Sequence, residues 1–163
     1  AIGLINYARN GYMSIGALTD ETFRGGLTFK MGLKELYSII HIGYTEGPYW
    51  GVGCGMGTFL VKGNKIDLAL EGTSYQINED EWWTDETNML VRLNLNLQYH
   101  LSPRLSLVAG ASDNLAVSQL KDAEGRLTGG TFIPGTTFFD HTGKKTRTVM
   151  YPGVSLGVLY QIR

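Results

Sequence analysis

Between Asn88 and Leu101 the chain reads N-M-L-V-R-L-N-L-N-L-Q-Y-H-L. One parity holds Met89, Val91, Leu93, Leu95, Leu97, Tyr99 and Leu101; the other holds Leu90, Arg92, Asn94, Asn96, Gln98 and His100. A helix turning about 100° per residue would scatter both sets around its axis, whereas a pleated strand sends alternate side chains to opposite faces. At roughly 3.3 Å per residue the segment reaches about 45 Å. That is ample for a tilted strand crossing a bilayer, which needs about 9–11 residues.

The same alternation predicts strands over Gly11–Leu18 and Thr22–Met31, where Phe23, Leu27, Phe29 and Met31 oppose Arg24, Thr28 and Lys30. Leu36–Tyr44 is apolar on both parities, so its faces are not readable. In Tyr49–Val61 the residues Gly51, Gly53, Gly55 and Gly57 alternate with Trp50, Val52, Cys54 and Met56, leaving one face bare of side chains, as the inside of a small barrel requires. Lys65–Ile77 sets Ile66, Leu68 and Leu70 against Asp67, Ala69 and Glu71, and Arg104–Val117 and Val149–Arg163 complete about eight strands. Residues 1–10 read as a short N-terminal strand or repeat remnant ahead of the barrel of residues 11–163. The connections at 32–35, 62–64 and 102–103 are tight. Those at 19–21, 45–48, 78–87 and 118–148 alternate with them and include both long ones. An up-and-down meander puts alternate connections at opposite ends, so one rim is short and the other carries long loops, the asymmetry of outer-membrane barrels.

Composition narrows the alternatives. Charged residues make up 18% of the chain, below the roughly 25% usual in soluble domains, yet no apolar run is long enough for a transmembrane helix. That combination leaves a membrane barrel open. A net charge of -1 and the lack of a basic stripe argue against nucleic acid as a partner. Cys54 is the one cysteine, so neither a disulfide framework nor a thiolate metal cluster is expected. Ala1 opens no charged and apolar leader, so a secretory signal is expected to be absent or already removed.

Periodicity does not say which face points inward. Residue chemistry favours an apolar exterior facing lipid, because the polar parity is built of Gly, Ser, Asn and Gln with charges of both signs. Lysine and glutamate, which solubilise a barrel's outside, do not dominate it. A lumen charge network of Arg24, Lys30, Asp67, Glu71 and Arg92 follows, since unpaired buried charge is expensive. Phe23, Tyr37, Tyr44, Trp50, Tyr75, Tyr99 and Tyr160, lying near strand ends, are expected to form interfacial girdles.

G-L-I-N-Y at Gly3–Tyr7, D-E-T-F at Asp20–Phe23, Q-I-N-E-D-E-W-W-T-D at Gln76–Asp85 and the closing G-V-S-L-G-V-L-Y carry a resemblance. The chain resembles the C-terminal β-rich region of uncharacterised surface-repeat proteins of Gram-negative, Bacteroidota-type bacteria. The resemblance implies a cell-envelope location and no reaction. One such repeat is visible, which leaves room for this chain to be part of a longer protein.

Motifs that would carry chemistry are sparse. His41, His100 and His141 share no metal-binding spacing, so neither metal nor cofactor is expected, and His100 reads as a rim residue. A hydrolase reading can nominate His41, Ser74 and Glu71, but Ser74 and Glu71 differ in parity and no G-x-S-x-G elbow occurs. The acidic loop around Trp82 and Trp83 suits stacking on sugar rings or anchoring at a headgroup layer. Phe132, Phe138 and Phe139 make the long insertion unusually apolar, as a folded-back hairpin or a partner contact would.

The sequence therefore predicts an all-β, eight-stranded antiparallel up-and-down barrel in the cell outer membrane. Its expected role is non-enzymatic: an anchor displaying residues 78–87 and 118–148 for adhesion or partner binding. Its expected contacts are membrane lipid or lipopolysaccharide and a surface glycan or protein. The competing readings are a soluble barrel holding a small apolar ligand and, third, a lipid-modifying hydrolase of the outer membrane.

Overall fold

The computed structural model describes residues 11–33, 35–45, 50–78, 88–119, 137–143 and 146–162. Eight long strands form one closed antiparallel sheet: β1 (Gly11–Asp20), β2 (Gly25–Leu33), β3 (Tyr37–Tyr44), β4 (Trp50–Lys62), β5 (Ile66–Asn78), β6 (Asn88–His100), β7 (Leu105–Gln119) and β9 (Thr146–Gln161). Each pairs with its sequence neighbour, and β1 closes the barrel on β9 over Ser14↔Gln161 to Asp20↔Ser155. The short β8 (Phe139–Thr142) pairs with the start of β9, so part of the long insertion is a hairpin standing above the rim. The proposed N-terminal strand, residues 1–10, lies outside the described residues.

The exterior carries the aliphatic parity. Leu27, Ile40, Ile42, Met56, Leu93, Leu95, Leu97, Leu107, Val154 and Leu156 are all exposed, while Lys30, Asn94, Asn96, Gln98 and Arg92 on the other parity are buried. Ten residue steps separate Tyr160 from Met150 on β9, and Tyr99 from Met89 on β6. At about 3.3 Å per step and a tilt of about 40°, each spans about 25 Å, the height of the apolar band on an outer-membrane barrel.

Two details re-aim side chains. A bulge between Phe59 and Val61 inserts Leu60 into β4, keeping Phe59 inside and placing Leu60 and Val61 outside. At the β1–β2 connection the sequence predicts a strand from Thr22, but β2 begins at Gly25. The Asp20 carboxylate accepts from the N–H groups of Thr22 (2.8 Å) and Phe23 (2.7 Å), and Asp20 N–H donates to Phe23 O (2.8 Å). This turn, built on an acidic side chain reading its own backbone, folds inward and drives Phe23 to full burial.

Side chains fill most of the lumen. Phe23, Tyr75, Ile77, Leu90, Ala116, Val149 and Tyr151 pack at the long-loop end, and Tyr12, Tyr37, Ile39 and Phe59 at the short-turn end. Phe23, Tyr37 and Tyr75, expected in the girdles, are therefore interior residues. The bare glycine face of β4 explains this, because the rings occupy its space: a Cβ on Gly53 would overlap Tyr75, on Gly57 Tyr37, and on Gly51 or Gly43 Phe23. Of the aromatics expected in the girdles, the outward ones are Tyr44 and Trp50, paired across β3–β4 at one rim, and Tyr99 and Tyr160 at the other.

Candidate functional site

The polar groups of the lumen gather in three layers. At the long-loop end Arg92, from β6, is nearly fully buried and donates to Asp20 Oδ2 (2.6 Å), Asp20 Oδ1 (3.2 Å), Glu21 Oε1 (3.1 Å), Thr22 Oγ1 (3.1 Å) and Asn114 Oδ1 (2.7 Å). Its aliphatic stem brings the guanidinium within 5.8 Å of the Phe23 ring centre and 5.5 Å of that of Tyr75. Glu21 also accepts from Asn114 Nδ2 (3.0 Å) and from the backbone N–H of Val154 (2.9 Å). That last bond caps β9 where β1 has ended and Pro152 offers no donor.

At mid-height Lys30 from β2 pairs with Glu71 from β5, and the Tyr37 hydroxyl donates to the same carboxylate oxygen at 2.7 Å. Asn94 and Asn96 lie beside Gly110, both with unpartnered side-chain oxygens. At the short-turn rim His100 bridges Asp67 and Ser106: His100 Nε2 is 3.0 Å from Asp67 Oδ2 and His100 Nδ1 is 2.8 Å from Ser106 Oγ. Asp67 Oδ1 accepts from Gly63 N–H at 3.0 Å. These residues line a cavity of about 200 Å³ together with Tyr12, Lys62, Gln98 and Gln161.

Of the five charges assigned to the lumen, Lys30, Asp67, Glu71 and Arg92 are buried there. Arg24 is a correction: it lies exposed in the β1–β2 turn, because β2 begins three residues later than the alternation suggested. The partners of Arg92 and the Ser106 partner of His100 were not legible in the alternation of the sequence. Asp20 and Glu21 sat in a predicted turn, and Ser106 stands opposite His100 across the β6–β7 hairpin. Hairpin counting from the short turn at 101–104 would have paired those two.

Among the nominated hydrolase residues, Ser74 faces outward while His41 and Glu71 face inward. His41 Nδ1 is 3.1 Å from the Tyr75 hydroxyl. Trp82, Trp83 and Phe132 lie outside the described residues. Phe138 and Phe139 are exposed, and Phe139 pairs with Met150 and stacks on His141 with ring centres 6.2 Å apart. On the inner side of this hairpin Arg147 Nε donates to Asp140 Oδ1 at 2.9 Å, holding the Asp140 carboxyl below its ordinary range. No cluster of three or more metal-binding side chains occurs among the described residues.

No protein-family model and no curated protein matches this sequence. Solved structures do match in fold. A chain described under "De novo design of transmembrane beta-barrels" superposes with a TM-score of 0.54 at 8% identity, over 94% of this chain and 95% of that one. Neisserial surface protein A superposes with a TM-score of 0.51 at 10% identity, over 92% of this chain and 94% of the other. The fold is that of a small transmembrane β-barrel.

Proposed function

We propose that this protein is an outer-membrane barrel that acts as an anchor and displays at one rim the loops 78–87 and 118–148 for adhesion or partner binding. The carrying observation is the inverted sidedness of the sheet, with exposed leucine, isoleucine and valine around the outside and buried ion pairs at the centre. Water would penalise that exterior, and lipid would not. Tyr44, Trp50 and Phe139 toward one rim and Tyr99 and Tyr160 toward the other match headgroup-level anchors. The soluble-carrier reading loses its support, because aromatic rings, amides and ion pairs fill the interior where an apolar ligand would sit. The resemblance to surface-repeat proteins agrees with a surface role, and the acids and tryptophans of segment 79–87 suit a glycan or the lipopolysaccharide headgroup layer.

The test uses Trp50 as a depth gauge. In a Trp82→Phe/Trp83→Phe background Trp50 is the remaining tryptophan, and in vesicles a headgroup-level quencher should dim it more than one near the bilayer centre. Barrels with residues 79–87 or 120–136 replaced by short turns should still insert but lose binding to the bacterial surface glycan or host cells. A chain that stays monodisperse in buffer without amphiphile would overturn the membrane reading, and full binding by the loop-replaced barrel would overturn the display reading.

A further inference from the structure

The cavity at the short-turn rim plays no part in anchoring, and its lining is arranged for chemistry. Ser106, His100 and Asp67 come from β7, β6 and β5, and inward parity together with hairpin register brings them into one hydrogen-bonded row. Asp67 Oδ2 accepts the Nε2–H of His100 and thereby fixes the tautomer, leaving the Nδ1 lone pair to accept the Ser106 hydroxyl at 2.8 Å. That is the relation of nucleophile, base and orienting carboxylate that defines an acyl-transfer triad by geometry and role, wherever its members lie in the chain. The two imidazole nitrogens are exchanged relative to the commoner order. Either nitrogen serves as a base once the other is held as a donor.

A second, independent feature points the same way. Gln98 is 3% exposed, one inward position along β6 from His100; the residue lines this cavity, and its buried side-chain Nε2 has no acceptor at full hydrogen-bonding distance. An unpartnered buried donor is costly, and a spare donor in the wall of a cavity that also holds a nucleophile is what a developing oxyanion needs. Tyr12, Phe59 and Leu159 supply an apolar wall for a short acyl chain.

We propose that this rim cavity is an esterase site for short-chain carboxylic esters, with Ser106 as nucleophile, His100 as general base and acid, Gln98 as oxyanion donor and Asp67 as positioning residue. Ser106 Oγ attacks the ester carbonyl carbon while its proton passes to His100 Nδ1, and Gln98 Nε2–H bonds the resulting oxyanion. The carbonyl re-forms, the ester C–O bond breaks, and the alcohol leaves with the proton from His100. Water then repeats the sequence on the acyl-Ser106, losing its proton to His100, which returns it to Ser106 as the carboxylic acid departs.

The experiment uses the full chain refolded in detergent micelles, p-nitrophenyl acetate and butyrate as substrates, and a biotinylated fluorophosphonate as label. Label should map to Ser106 by peptide mass. Ser106→Ala and His100→Gln should each lower ester turnover by roughly 100-fold or more, with the β-sheet circular dichroism of the intact barrel retained. Gln98→Leu should lower kcat by roughly 100-fold at little change in KM, and Asp67→Asn should lower kcat while leaving KM in place. A folded wild-type barrel that takes no label at Ser106 overturns the proposal, as does turnover equal in wild type and Ser106→Ala. The labelling arm needs no variant, so it decides even if a substitution prevents folding. Neither outcome bears on membrane anchoring, which the Trp50 depth measurement reads separately.

Discussion

Replacing Arg92 with Ala removes five hydrogen bonds and the cation that balances Asp20 and Glu21, whose side chains are 2% and 13% exposed. Breaking a buried pair from one side costs about 3–5 kcal/mol, because the abandoned charge stays buried. Here the carboxylates keep other donors: Asp20 retains the N–H groups of Thr22 and Phe23, and Glu21 retains Asn114 and the Val154 N–H. That residual solvation places the cost at the lower end, about 3 kcal/mol. Combining Arg92→Met with Asp20→Asn and Glu21→Gln removes the stranded charges as well, so the combined variant should recover most of the loss. The coupling between positions 92 and 20 should be about 1–3 kcal/mol in a double-mutant cycle. The assay is reversible urea unfolding in lipid vesicles, followed by tryptophan fluorescence. A loss below about 1 kcal/mol for Arg92→Ala, typical of a solvated pair, would show that water reaches this layer and refute the reasoning.

Three further outcomes are expected. Gly53→Val places a side chain inside the Tyr75 ring and should cost about 1–3 kcal/mol from overpacking, whereas Gly72→Ala, with nothing within 4 Å of its added Cβ, should be neutral or slightly stabilising in the same unfolding assay. Leu95→Arg, outward at mid-height on β6, should cost about 2–4 kcal/mol in vesicles, against about 0–1 for Leu101→Arg in the rim turn; equal costs would contradict a bilayer around β6. Arg147 depresses the Asp140 carboxyl, so its contribution to the β8–β9 hairpin is complete above the ordinary value of about 3.9 and lost as pH falls through the lowered folded value. Carboxyl-carbon NMR should place the Asp140 midpoint below that ordinary value and return it there in Arg147→Ala.

Much of the architecture was readable because a strand's two-residue period writes its faces directly into the chain. The eight strands and the tight turns at one rim follow from parity and spacing, and the outward leucines of β6 from the polar chemistry of the opposite parity. Tyr75 shares parity with Asp67 and Glu71 and lay inside, so its interior place was legible, whereas aromatic chemistry pointed toward a girdle. Tyr37 was not legible, since β3 is apolar on both parities. Arg24 and Phe23 were misplaced for a different reason: alternation extends a strand until something breaks it, and here the Asp20 side chain breaks it by capping its own turn.

The sequence by itself determined a two-faced sheet long enough to close and cross a bilayer, because apolar and polar positions two residues apart have one geometry that separates them. Only the tertiary structure decided that Arg92 meets Asp20, that Lys30 meets Glu71 and that Asp67, His100 and Ser106 form a row. Those encounters depend on strand register and on an inward-folded turn. Parity says which way a side chain points, while partnership across a lumen depends on how far each strand has slid against its neighbour when the barrel closes.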